Sequence, residues 1–239
     1  MIVLFTDFGM GGPYVGQVHA VLAQQAPAVP VIDLFHEVPR HDIRAAAYLL
    51  PAYTQGTPPG TIHVCVVDPG VGGARRALIV KVDHRWYVGP DNGLLHILAR
   101  RARALECREI LWRPASLSAS FHGRDLFAPV AAQLVRGLMP DSVPATLTPP
   151  VPDWPEDLPQ VLYIDHFGNA ITGLRADRLG RDVRLRIGGT GLAYARTYSE
   201  VPAGQGFWYE NANGLVEIAA NQARASDQFG IAVGDSVGV

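Results

Sequence analysis

Residues 61–76, TIHVCVVDPGVGGARR, contain the clearest structural signal in the chain. The apolar, β-branched run at 64–67 is bounded by turn residues and predicts a buried strand. This strand ends at Asp68, and a glycine-rich loop and two arginines follow. Open α/β sheets bind ligands beyond the carboxyl ends of their strands, and glycines let the backbone approach a ligand closely. The stretch therefore predicts a small-molecule site that includes Asp68.

The composition narrows the class of protein. The chain has 239 residues, 48% hydrophobic and 18% charged, which is typical of a globular protein of one large or two small domains. A net charge of −2 provides no basic footprint for nucleic acid. The two cysteines, Cys65 and Cys107, lie in no CxxC or Cys/His cluster, so neither a disulfide scaffold nor a zinc site is expected. The sequence shows neither a signal peptide nor a membrane-spanning run, which predicts a cytoplasmic enzyme or binding protein.

The first half of the chain alternates between strand and helix patterns, which predicts a mostly parallel α/β sheet covered by helices. Strands are predicted at 2–5, 29–34, 61–67, 77–82 and 86–88, the last two as a hairpin. Helices are predicted at 16–25, 42–53, 94–104 and 126–138.

The composition changes near residue 150. Six prolines between positions 144 and 159 exclude a regular helix, so we predict a linker at 149–159 between an N-terminal α/β domain at 1–148 and a C-terminal domain at 160–239. Short strands separated by turns are predicted at 161–164, 183–187, 207–209, 215–219 and 231–237. This pattern predicts a small β-barrel or sandwich.

Three of the strand-like runs end in an acid close to a glycine, at Asp7, Asp68 and Asp165, and the turn GPDNG at 89–93 has the same composition. Aspartate and glycine are ordinary turn residues, so any one of these segments is explained by a turn alone. Two acids that leave neighbouring parallel strands would share one edge of the sheet, and that arrangement would favour a functional site.

His122 is the strongest candidate among the eight histidines for a base near Asp68. It lies in the segment FHGRD at 121–125, just before a predicted helix. The alternative for its neighbours is structural: Asp125 caps that helix and Arg124 pairs with Asp125. Structural or solvated roles are expected for His19, His41, His63 and His84, whereas His36 and His96 remain open.

The loop after Asp7, GMGGPYVG at 9–16, lacks the G-x-G-x-x-G order of dinucleotide-binding loops. The chain also lacks the G-x-S-x-G, Walker lysine and H-E-x-x-H motifs. A carboxylate such as Asp7 accepts hydrogen bonds from ribose hydroxyls but repels phosphate. This chemistry indicates a nucleoside rather than a nucleotide polyphosphate.

These segments together resemble the S-adenosylmethionine (SAM) hydrolases, also called SAM hydroxide adenosyltransferases, which are relatives of the fluorinase and chlorinase enzymes. The resemblance spans nearly the whole chain. It rests on six segments in the family's order: TDFG at 6–9, VDPGVG at 67–72, GPDNGL at 89–94, FHGRD at 121–125, DHFGN at 165–169 and NANG at 211–214. Each segment alone is weak, but their order is specific.

The resemblance implies hydrolysis of SAM to adenosine and methionine by attack of an activated water on the ribose C5′, with no cofactor and no metal. Asp68, Arg75 seven residues later and His122 are the implied water-activating set. Arg75 would orient the water and stabilise its developing charge, and either Asp68 or His122 would accept the proton.

The resemblance also implies the substrate contacts. Asp7 would hold the ribose hydroxyls, Asp165 the methionine amine and Asn169 the adenine edge. Phe121 and Phe167 would form walls of the pocket. The implied fold is an N-terminal α/β domain followed by a C-terminal β-barrel. The implied assembly is a homotrimer with each active site between the N-domain of one subunit and the C-domain of the next.

Departures from the family's pattern bear on the nucleophile. The halogenating relatives carry Tyr at the position of Asp68, Ser at the halide site where this chain has Gly123, and an inserted loop for which residues 82–88 leave no room. These differences favour water over halide. Near the methionine carboxylate, relatives often have Ser followed by a polar residue, whereas this chain has Ala212 and Asn213, so the backbone is an alternative contact. Two other functions remain: a SAM- or adenosine-binding module without turnover, and halide-dependent 5′-halogenation.

Overall fold

The computed structural model describes residues 1–149 and 154–239. The chain forms two compact units, Met1–Trp154 and Pro155–Val239, and each has a hydrophobic core of its own. The predicted linker at 149–159 lies partly outside the described residues, at 150–153. Within the described part of the chain, no helix is both long enough and apolar enough to cross a membrane.

The first unit is built on one seven-stranded sheet. Its strands are β1 (Ile2–Thr6), β2 (Val31–Phe35), β3 (Ile62–Val66), β4 (Ala77–Val82), β5 (Arg85–Pro90), β6 (Leu105–Ile110) and β7 (Ser142–Pro144). They are arranged in the order β2-β1-β3-β5-β4-β6-β7. The pairs β2–β1, β1–β3 and β3–β5 are parallel, whereas the pairs β5–β4, β4–β6 and β6–β7 are antiparallel. A parallel sheet is thus found in one half only, because the β4–β5 hairpin reverses the chain direction.

Four helices cover this sheet: α1 (Tyr14–Gln25), α2 (Ile43–Thr54), α3 (His96–Arg100) and α4 (Ala128–Val135). Apolar residues of α1 and α4 share a core with one face of the strands. Helix α2 packs near the other face, where the Tyr87 hydroxyl donates to Thr54 Oγ1. Helix α2 begins after Asp42, whose carboxylate accepts a hydrogen bond from the Ala45 N–H at 2.9 Å, as expected for an acid at a helix start.

Two helix predictions in the first unit need correction. The helix predicted at 94–104 spans only His96–Arg100, and residues 105–110, for which no element is predicted, form β6. Antiparallel pairing with β4 stabilises β6 as a strand. The pairing sets Lys81 opposite Glu106, with Nζ and Oε1 3.2 Å apart. The helix predicted at 126–138 starts earlier, in a π-helical turn at Gly123–Phe127, and continues as α4 to Val135.

The second unit contains two antiparallel ladders. Its elements are β8 (Leu158–Ile164), β9 (Ala170–Arg175), β10 (Leu185–Ile187), β11 (Thr190–Leu192), β12 (Gly206–Glu210), β13 (Leu215–Ala220) and α5 (Ala225–Phe229). One ladder has the order β12-β13-β9-β8, and the other pairs β10 with β11.

The sequence reasoning missed the strand β9 in this unit. Gly173 weakens its strand pattern, yet a Cβ there would lie only 2.7 Å from the Leu158 carbonyl oxygen, so the glycine marks a close approach between β8 and β9. The strand predicted at 231–237 is wrong. That segment forms only a single backbone bridge, from Ser236 to Gln160.

The closed barrel remains a prediction. The two ladders are separate, but single bridges join Tyr194 to Trp208 and Arg186 to Gly238, in addition to the bridge at Gln160.

The register of the first sheet brings two predicted acids to one edge. Strands β1 and β3 are parallel neighbours, and Thr6 pairs with Val66. Asp7 and Asp68 therefore leave the carboxyl ends of adjacent strands, which is the arrangement that favours a functional site over a set of isolated turns.

Candidate active site

A cavity of about 240 Å³ opens at the carboxyl edge of the first sheet. Its lining comes from the loops that follow β1, β2 and β3 and from the segment before α4. The lining residues are Asp7, Phe8, His41, Val66, Asp68, Pro69, Val71, Ser120, Phe121, His122 and Gly123. The cavity thus contains five of the sequence-predicted site residues and lies beside a sixth, Arg75, which contacts two of them.

Asp68, Arg75 and His122 form one hydrogen-bonded group. Arg75 Nε donates to Asp68 Oδ1 at 3.1 Å and to Oδ2 at 2.9 Å, and Arg75 Nη2 also contacts Oδ2. The same Nη2 lies 2.9 Å from His122 Nδ1. The side chains of Asp68 and Arg75 are only 3% and 11% exposed, so their charges interact with little screening by solvent.

The glycine loop after Asp68 has a packing role. Gly72 adopts a φ of +79°, and a Cβ there would overlap the carbonyl oxygen of Ala119, three residues before His122. Only glycine adopts this positive φ without strain and also leaves room for the Ala119 carbonyl oxygen. On the other side, the Asn92 amide donates to the Val67 carbonyl at 2.9 Å. The loop that carries Arg75 is therefore held against the loop that carries His122.

The contact with Arg75 sets the protonation of His122. A guanidinium only donates hydrogen bonds, so His122 Nδ1 accepts, and the neutral ring carries its proton on Nε2. Burial and the nearby Arg75 charge both lower the pKa of His122, and the opposing effect of Asp68 is smaller. The neutral imidazole is the favoured form at pH 7.

Asp7 and the aromatic residues shape the opposite part of this cavity. Asp7 Oδ2 accepts a hydrogen bond from the His41 N–H at 3.0 Å. The Phe8 and Phe121 rings meet edge to face, with centroids 5.6 Å apart. A Cβ on Gly123 would lie 2.9 Å from Phe8 Cζ, so the absence of a side chain at 123 leaves room for the Phe8 ring.

The predicted pairing of Arg124 with Asp125 is confirmed, but the predicted helix cap is wrong: Asp125 lies within the turn at Gly123–Phe127, which has no side-chain cap. Arg124 donates to both carboxylate oxygens of Asp125, and Asp125 Oδ2 accepts from the Ser118 N–H at 3.0 Å. The hydrogen bonds from Arg124, reinforced by the one from Ser118, lower the pKa of Asp125 in spite of its burial. These contacts anchor the loop that precedes His122.

The second unit has a cavity of its own, of about 530 Å³. Its lining residues are His166, Phe167, Asn169, Tyr198, Ala220, Gln222, Ala223 and Arg224. Phe167 is 71% exposed, which is unusual for an aromatic side chain. Asn169 is buried, and its Nδ2 donates to Tyr198 Oη at 2.9 Å.

The other two predicted residues of this unit, Asp165 and Asn213, are not part of that lining. Asp165 Oδ1 accepts from the Asn169 N–H at 2.8 Å, so it fixes the turn that presents Asn169. Asn213 lies in a turn where its N–H donates to Asn211 Oδ1 at 3.0 Å.

Sequence reasoning missed several lining residues. The sequence predicts His41 in a polar turn, but this turn follows β2, which borders β1, and His41 lines the first cavity. Tyr198 begins a short 3-10 helix, and Gln222 and Arg224 lie in loops; none of the three belongs to a motif that a single sequence reveals.

Cys65, Cys107 and His63 line neither of the two cavities. Cys65 is fully buried, and burial raises the pKa of its thiol far above the usual range. Burial likewise raises the pKa of Cys107 to about 11. Burial lowers the pKa of His63 to about 4, and its ring stacks on Tyr87. These residues are structural, as expected.

The fold and the first cavity define a class of protein. It is an α/β protein with a compact second unit and with an acid–guanidinium–imidazole group at the carboxyl edge of parallel strands, where a small molecule and a water are easily held.

Comparisons with known proteins identify the family. The SAM hydroxide adenosyltransferase N-terminal domain matches residues 2–144, and the corresponding C-terminal domain matches residues 159–238. Two similar curated proteins, each named (R)-S-adenosyl-L-methionine hydrolase, come from Thermus thermophilus and Salinispora arenicola. They are 41% and 40% identical, over 98% of this chain and 96% and 95% of their own lengths. The chain belongs to the SAM hydroxide adenosyltransferase family.

Solved structures support the same fold. The crystal structure of an uncharacterized conserved protein from Thermotoga maritima matches with a TM-score of 0.86 and 33% identity, over 99% of this chain and 98% of that one. A conserved hypothetical protein from Thermus thermophilus matches with a TM-score of 0.76 and 38% identity, over 99% and 97% of the two chains.

Proposed function

We propose that this protein hydrolyses SAM to adenosine and L-methionine, with water attacking the ribose C5′ and displacing the sulfur. The Asp68–Arg75–His122 group beside a cavity carries the proposal, in a chain whose relatives are named SAM hydrolases. A pure binding module has no need of a buried acid, guanidinium and imidazole joined in this way.

In this reaction the nucleophile, rather than the leaving group, needs activation. A sulfonium departs as a neutral thioether, so no general acid is required. Free hydroxide at pH 7 would cost roughly 12 kcal/mol to generate from water. We infer that proton loss accompanies C–O bond formation, and that in-line alignment of water, C5′ and sulfur supplies much of the rate.

The tautomer of His122 indicates which side chain orients the water and which accepts its proton. Its Nδ1 already accepts from Arg75, so its Nε2–H is a donor and is suited to orienting the water. Asp68 lines the same cavity, and a carboxylate has more acceptor sites than the Arg75 contacts use. We therefore assign proton acceptance to Asp68, and stabilisation of the water's developing charge to Arg75.

The remaining site residues are proposed as substrate contacts. Asp7 would accept from the ribose hydroxyls in the first cavity, beside Phe121 and Gly123. In the second unit, Phe167 and Asn169 would contact the adenine. Asp165 is an anionic partner for the methionine ammonium, and the Asn213 side chain would meet its carboxylate because its N–H is used by Asn211.

Turnover of SAM with product identification tests the function. We expect adenosine and methionine in equal amounts, and in heavy-oxygen water we expect the label in the 5′-hydroxyl of adenosine. Label-free adenosine would overturn attack of water at C5′. Tight SAM binding without products would instead favour a binding module. The relatives' name specifies the (R) sulfonium, so both sulfonium isomers are compared.

We also propose a homotrimer in which the N-terminal unit of one subunit and the C-terminal unit of the next complete each site. Each unit carries its own cavity, and the predicted contacts divide between the two. Co-expression of Asp68→Ala and Asn169→Ala chains tests this. In randomly mixed trimers, roughly a quarter of the sites would be intact. Sites formed within one chain would show no recovery, and light scattering gives the subunit number.

The closed C-terminal barrel is likewise our proposal. It is supported by the three single bridges, which link β8 to the C-terminal segment, that segment to β10, and the chain after β11 to β12.

A further inference from the structure

We propose that a buried hydrogen-bond chain from Thr6 through His36 and Asp33 to His19 positions the turn that carries Asp7, and so sets affinity for the ribose. Thr6 and His36 are positioning residues in this proposal. The proposal rests on the proposed function only in taking Asp7 as the ribose-binding acid.

The contacts form a continuous chain. Thr6 Oγ1 lies 2.7 Å from His36 Nδ1, and His36 Nε2 lies 2.9 Å from Asp33 Oδ1. The same Asp33 oxygen lies 2.7 Å from His19 Nε2. Thr6 and His36 are 1% and 3% exposed, whereas Asp33 and His19 lie at the surface end. The chain thus runs from the surface to the residue that precedes Asp7.

Each hydrogen bond has a defined direction. An ionised carboxylate only accepts, so His36 and His19 each donate from Nε2 to Asp33. In neutral His36, Nδ1 then accepts from the Thr6 hydroxyl, and the Thr6 oxygen remains free to accept from the Phe8 N–H at 3.2 Å. Burial opposes ionisation of Asp33, but the combined interactions with the two histidines outweigh it and lower the pKa of this carboxyl. Both ring nitrogens of the buried His36 and the Thr6 hydroxyl thus have hydrogen-bond partners.

The hydrogen-bond chain connects the two elements that flank the loop between β1 and α1. Thr6 is the last residue of β1, and His19 belongs to α1, so both flanks of the loop are joined to Asp33 on β2. Further contacts from the β2 exit hold the loop itself. The His36 carbonyl accepts from the Gly9 N–H at 2.8 Å, and Glu37 Oε1 accepts from the Met10 N–H at 2.9 Å.

This geometry bears on the site because Asp7 and Phe8 both line the first cavity. A buried acceptor that loses its donor keeps the cost of desolvation, so removal of the Thr6 hydroxyl strands His36 Nδ1. We then expect the turn to rearrange and Asp7 to move with it. A role in stability alone predicts a different result, namely a lower melting temperature with an unchanged site.

Nucleoside binding separates the two roles. The variants are Thr6→Val, which removes the hydroxyl at nearly constant volume, and Thr6→Ser, which restores it. The probes are adenosine and 2′,3′-dideoxyadenosine, bound to the full-length protein and measured by calorimetry. We expect Thr6→Val to weaken adenosine binding about tenfold. Dideoxyadenosine binding should hardly change, and Thr6→Ser should recover most of the loss.

Two further variants keep the test decisive. Thr57→Val is a matched control, since the Thr57 hydroxyl lies 3.1 Å from His63 Nε2 in the same unit but outside the cavity lining. It should leave both nucleosides unaffected. If Thr6→Val does not fold, Asp33→Asn alters the half-exposed end of the chain and should show the same selective loss, at about threefold.

An equal loss for both nucleosides, or no loss in a folded Thr6→Val variant, would overturn the proposal. Parent protein that binds the two nucleosides equally would also overturn it, because Asp7 would then not read the ribose hydroxyls. Failure of the proposed hydrolysis is seen separately, as absence of SAM turnover in a parent protein that still prefers adenosine.

Discussion

The guanidinium of Arg75 joins Asp68 to His122, and its Nη2 lies 2.9 Å from His122 Nδ1. The three residues come from two loops that are 47 positions apart in the chain. Arg75 also lies over the Phe127 ring, with its central carbon 5.4 Å from the ring centroid. One cation therefore fixes the carboxylate, the tautomer of the imidazole and the distance between them.

The assignment of Asp68 as proton acceptor predicts a large catalytic loss for Asp68→Asn. The amide keeps the shape but has one acceptor oxygen and no charge, so adenosine formation should fall by about a hundredfold or more. SAM binding should change far less, because the loss is confined to the chemical step. Single-turnover measurement of adenosine release separates the two quantities. Parent rates in both Asp68→Ala and His122→Ala would show that the assignment is wrong.

The lowered pKa of His122 predicts the acid limb of the pH profile. The active form has neutral His122, so activity is present above this pKa and is lost as the pH falls through it. Because burial and Arg75 both lower the pKa, the limb should lie below about 6.5, the ordinary value for histidine.

Arg75→Gln should shift that limb. Burial, Arg75 and Arg113 lower the pKa of His122, so removing the Arg75 cation should move the acid limb of the residual activity to higher pH. A proton NMR titration of the His122 ring, assigned with His122→Gln, measures the same shift directly. An unchanged or lower pKa in Arg75→Gln would contradict the electrostatic explanation.

Water should be the only nucleophile. With SAM and added chloride or fluoride we expect adenosine and no 5′-halo-adenosine. Gly123→Ser should not create halogenation, because its Cβ would lie 2.9 Å from Phe8 Cζ and would displace that ring from the cavity wall. Hydrolysis should fall instead. Chromatography of the products decides, and any halogenated nucleoside from the parent protein would refute this prediction.

Glu217 predicts a pH-dependent stability in the second unit. It is 6% exposed, and its carboxylate accepts from the Tyr209 hydroxyl and the Asn211 amide. Burial nevertheless raises the pKa of Glu217. A carboxyl group with a raised folded-state pKa binds more protons when folded, so the free energy of unfolding falls as the pH rises through that range.

Glu217→Gln should remove this part of the pH dependence. Between about pH 4 and about pH 8, the variant should lose less stability than the parent. Urea unfolding at both values measures the difference, and Glu210→Gln, an exposed change on the neighbouring strand, is the control variant. Parallel pH curves for the parent and Glu217→Gln would exclude the effect.

Much of the site was predictable because its residues follow strands with strong patterns. Asp7 and Asp68 end buried apolar runs, and FHGRD is distinctive enough to single out His122. The resemblance then identified Arg75 as their partner. The predictions that failed concern elements whose local sequence pattern is weak. Residues 105–110 form β6 only because β4 offers an antiparallel edge, and β9 contains a glycine that strand propensity disfavours.

By itself, the sequence determined the chemistry available to this protein: the strands, the acids at their ends, the order of the motifs and, through that order, the family. Only the tertiary structure decided how those groups act. The donor to His122 Nδ1, and hence its tautomer, depends on the fold that packs Gly72 against Ala119. The chain from Thr6 to His19 likewise depends on β2 lying beside β1. Hydrogen bonds and desolvation act over a few ångströms, so they depend on neighbours that sequence distance does not reveal.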